Sequence, residues 1–428
     1  MHRILAGIFL FASLALSSAP LVHADTQPAR WPAWRGPDGT GVVLEGTPPL
    51  KWSETENIQW KTDLPGEGQS TPVIWDDKLF LQTAEPLGEA AEGEDFPVYR
   101  FSVLCLDRHT GTLLWSKAVR EERPHEGHHK MTTFAPFTPV TDGERLWVSF
   151  GSRGLFCLSF DGEILWDVRP VQMEKDGKFG EGGSPVLSKD SVIVLADHEG
   201  PSRLYAFDKN TGAIRWETPR AFGSSWGTPA VATVGDHEEI ITTADDWAHG
   251  YNAANGELLW SYNGLTSCAA PSPVIHGGAV YVTTGYEGDA LAAITLGRKG
   301  ELASTDAVRW KGDTTGSEVA TPLIYENRLY VFRRMGPKLS CYNATTGAML
   351  YEHIAVPEMK NTFASPLAVG PHIYINGREG ATAIIKSADQ FEVVAINKLD
   401  TTLDASPVVI GNTLYLRGNN RMYCIAAK

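Results

Sequence analysis

Cysteine is scarce and never paired in sequence: five occur in 428 residues, and no two are adjacent. None belongs to a Cys-x-x-Cys-His run, which excludes a covalently attached c-type haem. Basic residues are outnumbered, 37 Lys and Arg against 51 Asp and Glu, for a formal net charge of −14. So acidic a chain lacks the positive face that a phosphate backbone or an anionic membrane needs. Helix-favouring runs are few, whereas 42 Gly and 26 Pro punctuate the chain. This composition suits a large all-β core and works against a helical one. No Ser/His/Asp order, phosphate-cradling glycine loop or spaced carboxylate pair stands out, so nothing supports a hydrolase.

The first 24 residues read as a secretory signal. Arg3 precedes the apolar run Ile4–Leu16, and Val22 and Ala24 supply small residues for cleavage before Asp25. The run is short and broken by Ser17, Ser18 and Pro20, which argues against a membrane anchor. No Cys follows the cleavage point to carry a lipid. The expectation is an exported, soluble, monomeric protein, periplasmic or extracellular.

What is present is a repeat. Cys105, Asp107, Thr110, Gly111 and Trp115 mark the end of one strand, a tight turn and the start of the next. The Asp bonds back to the turn backbone, and Thr-Gly supplies the left-handed position of a bulged hairpin. The same spacing returns at Ala206, Asp208, Thr211, Gly212 and Trp216, and again at Gly250, Asn252, Asn255, Gly256 and Trp260. Cys341, Asn343, Thr346, Gly347 and Tyr351 keep it with Tyr for Trp, and Cys157 to Trp166 is one residue shorter. The aromatic series, from Trp60 to Tyr351, is expected to wedge between neighbouring units. Cys105, Cys157, Cys341 and Cys424 share one repeat position, which predicts small buried thiols held too far apart to bond.

A second mark counts the units. A Ser/Thr-Pro pair opens a strand at Pro72, Pro139, Pro185, Pro229, Pro273, Pro322, Pro366 and Pro407. Eight marks, mostly 40 to 50 residues apart, predict eight four-stranded blades of a β-propeller. The last unit ends after its third strand, Met422 to Ala427, while Asn57 to Lys61 offers an aromatic strand with no partner before it. Joining the two closes the ring and removes both edges. The expected organisation is a signal at 1–24, a Trp/Pro/Gly-rich strap at 25–50 laid over the propeller, and the eight-bladed propeller at 51–428.

The Asp-x-x-Thr-Gly-x-x-x-Trp repeat resembles the tryptophan-docking repeat of exported PQQ-like (quinoprotein-type) β-propellers, and covers the chain from about Lys51 to the end. The front segment Trp31, Trp34, Arg35, Gly36 and Pro37, and the back half around Ile385, Glu392, Ser406 and Arg417, are similar to the propeller of the outer-membrane protein-assembly machinery. One such fold hosts both enzymes and scaffolds. The resemblance therefore implies a binding or scaffold protein of the cell envelope, whose channel-mouth face takes an envelope protein or a small anionic or sugar-like ligand. It also implies an alternative, a PQQ- and Ca²⁺-dependent alcohol or sugar oxidoreductase. For that alternative Trp226 would lie under the quinone, Arg334 or Arg378 on its carboxylates, and Asp245 or Asp246 near the Ca²⁺. The adjacent bonded cysteines on which many such enzymes stack PQQ are missing.

The long insertions, Glu85 to Arg100 and Arg120 to Phe137, fall in loop classes that emerge at the channel mouth, where loops carry function. The second contains His125, His128 and His129, three imidazoles that fit a Zn²⁺ or Cu²⁺ site. The linkers into each first strand add Gln69, Glu181, Trp226, Cys268, Glu318 and Asp404 to the same rim.

Overall fold

A computed structural model describes residues 29–286, 288–312, 316–333 and 336–427. The signal segment and Arg334 lie outside the described residues. No helix among the described residues is long and apolar enough to cross a membrane.

Eight four-stranded antiparallel sheets form the ring, each with strands a to d running outward from the axis. In blade 1 these are Val73–Trp75, Lys78–Pro86, Tyr99–Asp107 and Leu113–Glu122. Strands b and c are buried along nearly their whole length, whereas strand d alternates with one face to solvent. The sequence carries both patterns, continuous apolar runs inside and period-2 alternation outside. In blade 8 the strands Val408–Ile410, Thr413–Arg417 and Arg421–Ile425 are completed by Ile58–Asp63, with Trp60 opposite Cys424. The ring closes as the sequence predicts.

The repeat turn is a docking cradle. Asp107 Oδ1 accepts the backbone N–H groups of His109 and Thr110 at 3.0 and 2.8 Å and the Thr110 hydroxyl at 2.9 Å. Gly111 adopts φ 72°, and the register shifts by a bulge between Cys105 and Leu106. The Trp of the preceding blade enters this turn. Trp60 donates its indole N–H to Arg108 O at 3.0 Å, and its ring lies where a Cβ on Gly111 would sit 2.5 Å away. Trp115, Trp166, Trp216 and Trp310 repeat this with the carbonyls of Phe160, Lys209, Ala253 and Ala344.

Trp260 departs from the series. Blade 5 has no Asp-x-x-Thr-Gly turn, so no cradle exists for it. Its indole N–H goes to Glu239 Oε2 of its own blade at 2.8 Å, over Gly250, where a Cβ would stand 2.1 Å from Trp260 Nε1. The blade-5 insertion instead adds Gly300–Glu301 as a parallel fifth strand beside Trp260 and Ser261.

The Ser/Thr-Pro marks form a second ring. Thr71 N donates to Thr138 Oγ1 at 3.0 Å, Thr138 N to Ser184 Oγ at 2.9 Å, and Ser184 N to Thr228 Oγ1 at 2.9 Å. The chain of contacts continues through Ser272, Thr321 and Ser365 to Ser406. The seven hydroxyls from Thr138 to Ser406 thus each satisfy a buried backbone donor of the neighbouring blade. Cys105, Cys157, Cys341 and Cys424 are free and buried, and burial pushes each thiol up to about 12.

The N-terminal strap lies in the channel. Arg30–Trp31 pairs with the inner strand of blade 1, and Val42–Val43 runs parallel to the inner strand of blade 7, Leu367–Val369. Between them Trp34 Nε1 reaches Ser406 Oγ at 3.4 Å. Buried Arg35 donates to the carbonyls of Thr321, Thr40 and Gly39 at 3.1, 2.6 and 3.2 Å.

Candidate functional site

A cavity of about 320 Å³ opens on the axis. The eight Ser/Thr marks surround it and Trp34 of the strap lines it. All six linker residues singled out from the sequence reach its wall: Gln69, Glu181, Trp226, Cys268, Glu318 and Asp404. Phe179, Tyr286 and Phe363 add aromatic surface, and His129 and Thr132 come from the long insertion. Its size lies at the lower end of the range for small-ligand sites.

One side is organised by Asp404. Gln69 Nε2 and Arg378 Nη1 both donate to Asp404 Oδ2, at 2.8 and 2.5 Å. The same two groups also donate to Met131 O of the insertion, at 2.9 and 2.6 Å. Asp404 Oδ1 is buried with no partner among the described residues. Burial lifts this carboxyl to about 7, against the opposing pull of Arg378 and Gln69.

The other side is organised by Glu181. Its carboxylate takes Arg153 Nη1 at 2.8 Å and Ser152 N at 2.6 Å. Trp226 donates its indole N–H to Gly180 O at 2.8 Å, while the buried ammonium of Lys175 sits 5.4 Å from its ring centre. Lys175 Nζ is held by the carbonyls of Asp197 and Ser225 at 2.5 and 2.8 Å, and burial lowers it to about 8.

The residues expected to hold PQQ and Ca²⁺ fare unevenly. Trp226 lines the cavity. Arg378 is turned to Asp404 and Met131 rather than into open space. Asp245 is half-buried and its Oδ1 accepts Cys268 N at 2.7 Å; burial raises its carboxyl, opposed by the Cys268 and Ala269 N–H groups. Asp246 is exposed with φ 63°. No described third ligand joins these two, and no described Lys or Arg lines the cavity to take quinone carboxylates. Of the described residues expected to hold the pair, Trp226 alone lines the cavity.

The three histidines are not gathered either. His125 Nε2 meets Met173 O at 2.7 Å, His128 Nδ1 meets His129 O at 2.9 Å, and the His129 ring packs edge-on against Phe179. The cluster among the described residues is His125, Glu126 and Glu181, whose ligand atoms lie within 4.8 Å of one another. Sequence spacing missed the two glutamates because Glu181 arrives from another linker, 55 positions on from Glu126. Trp34 was missed as a wall residue for a similar reason: nothing local says that the strap enters the channel.

Comparison with known proteins agrees with the architecture. The family described as outer membrane protein assembly factor BamB matches residues 99–302. Tetrathionate hydrolase of Acidithiobacillus ferrooxidans is 24% identical over 58% of this chain and 47% of its own length. The outer membrane protein assembly factor BamB of Nitrosomonas eutropha is 26% identical over 53% of each chain. This chain thus spans about half the length of these curated relatives. Among solved structures, the quinohemoprotein alcohol dehydrogenase of Comamonas testosteroni superposes with a TM-score of 0.65 at 10% identity, over 94% of this chain and 81% of that one. That likeness is one of fold alone.

Proposed function

Because this chain is a PQQ-like repeat β-propeller, we propose that it is an exported binding protein of the cell envelope that holds its ligand at the channel mouth. The observation that carries this is the convergence of the linkers of several blades, the insertion and Trp34 on one cavity of about 320 Å³. Aromatic surface with a few fixed polar groups is the make-up of a small-ligand site. The likeness to BamB-type proteins supports extending this reading to a scaffold role of the wider face, with another envelope protein as the ligand. Soaking crystals of the protein with small-molecule mixtures tests the reading: ordered density in the cavity is expected, and ligands found only elsewhere overturn it.

A second reading rests on His125, Glu126 and Glu181. A His with two carboxylates suits Zn²⁺. Uptake requires Glu181 to leave Arg153 and Glu126 to leave Lys175 N, where it now accepts at 3.2 and 3.1 Å. Zinc content after dialysis checks it. One equivalent that is lost in Glu126→Gln supports a metal-binding propeller, and a metal-free protein removes it.

A further inference from the structure

The chemistry of the cavity wall narrows the ligand, given the small-ligand reading above. A charged ligand needs an opposite charge left unpaired at the wall, and the described guanidiniums near the mouth are engaged. Arg153 pairs with Glu181, Arg378 with Asp404 and Arg333 with Asp289. Arg417 is wholly buried against Ser70 and the Gln82 carbonyl. No described Lys or Arg reaches the wall, so a carboxylate or phosphate finds no fork to sit on. Glu181 and Asp404 meet their arginines at 2.8 and 2.5 Å, so an ammonium finds those carboxylates already neutralised. Cation–π attraction is weakened as well. Lys175 stands over the Trp226 ring, Arg35 over Trp34 and Arg378 over Phe363, at 5.4, 5.7 and 5.6 Å.

Besides these paired groups and the Glu318 carboxylate, the wall offers neutral partners. In seven of the Ser/Thr marks, from Thr138 to Ser406, the hydroxyl oxygen accepts a backbone N–H from the neighbouring blade. Each keeps its own O–H to donate. Acceptors come from the carboxylates, among them Asp404 with its unpartnered Oδ1. Flat apolar faces come from Trp34, Trp226, Phe179 and Phe363. Clustered donors, carboxylate acceptors and aromatic platforms match a ring that carries hydroxyls at its edge and C–H groups on its faces.

We propose that the cavity binds a neutral saccharide of one or two rings, stacked on the aromatic wall with its hydroxyls on Asp404 and the Ser/Thr ring.

The test titrates the full chain with D-glucose, N-acetyl-D-glucosamine and maltose, beside choline and citrate as charged comparators, by calorimetry and tryptophan fluorescence. A neutral saccharide is expected to bind saturably, and Trp226→Ala or Phe363→Ala is expected to lower its affinity about tenfold or more, the loss of one stacking face. Saccharide binding untouched by either substitution in a folded variant overturns the assignment. Binding of choline or citrate without any saccharide overturns it too, but leaves the small-ligand reading standing. Failure of all five probes overturns both.

Discussion

Arg378 Nη1 lies 2.5 Å from Asp404 Oδ2 and 2.6 Å from Met131 O, so one guanidinium nitrogen ties a blade-7 loop to the last linker and to the insertion beside blade 1. Gln69 repeats both contacts. The insertion is thereby fastened across the closure seam of the ring to blade 7 and the linker into blade 8.

Asp404 makes this tie sensitive to pH. Burial lifts its carboxyl to about 7, above the ordinary aspartate range, so in between the folded state binds the extra proton. Its contribution is fully present below the unfolded value and is lost as pH rises through about 7. Asp404→Asn is therefore expected to gain on the wild type between pH 5 and pH 8, by on the order of 1–3 kcal/mol. The cost of leaving Arg378 short of a partner is a constant offset. Urea unfolding at the two pH values measures the difference, and parallel behaviour refutes the shift.

The Ser/Thr ring predicts a cost where the sequence looks conservative. Ser184→Ala removes the acceptor of the buried Thr138 N–H. It is expected to destabilise by about 1–3 kcal/mol in a chemical melt. Ser188→Ala, whose hydroxyl donates to the Glu238 side chain, provides the comparison and is expected to cost less.

Gly212 and Gly235 separate docking from turn strain. Both have positive φ, 73° and 61°. A Cβ at Gly212 meets the Trp166 ring at 2.7 Å, whereas at Gly235 nothing lies within 4 Å. Gly212→Ala should lose about 1–3 kcal/mol more than Gly235→Ala, because overpacking adds to the shared strain. Equal losses would mean that the indole adjusts freely.

Gly250 should resist the residue found at its equivalents. Cys occupies this position in four blades, yet a side chain here displaces Trp260. Gly250→Cys is expected to lower the melting temperature by several degrees and to shift tryptophan emission to the red. An unchanged spectrum shows that Trp260 has room elsewhere.

The ring was legible because propeller physics is local and repeated. Asp107 with Gly111 makes a cradle, Trp60 fills it, and the spacing recurs. Rim membership was legible for the same reason: the linkers carrying Gln69, Trp226 and Asp404 hold equivalent places in their units. Side-chain direction was not. Arg378 stands in a mouth loop, but only the approach of Asp404 from another linker turns it away from the cavity. Glu126 and Glu181 meet because two linkers converge, which no single stretch encodes. Trp260 follows the repeat in sequence and leaves it in space, because its cradle would have to come from blade 5.

The strap sets an order of assembly. Its two short strands pair with blades 1 and 7, and the strand that completes blade 8 follows it directly in the chain. Val42–Val43 and Ile58–Asp63 therefore wait, with unpaired edges, for strands near residues 367 and 421 that are made later. Translation order and completion order run opposite at the seam, so a loss of Arg421–Ile425 would strand Ile58–Asp63 as well.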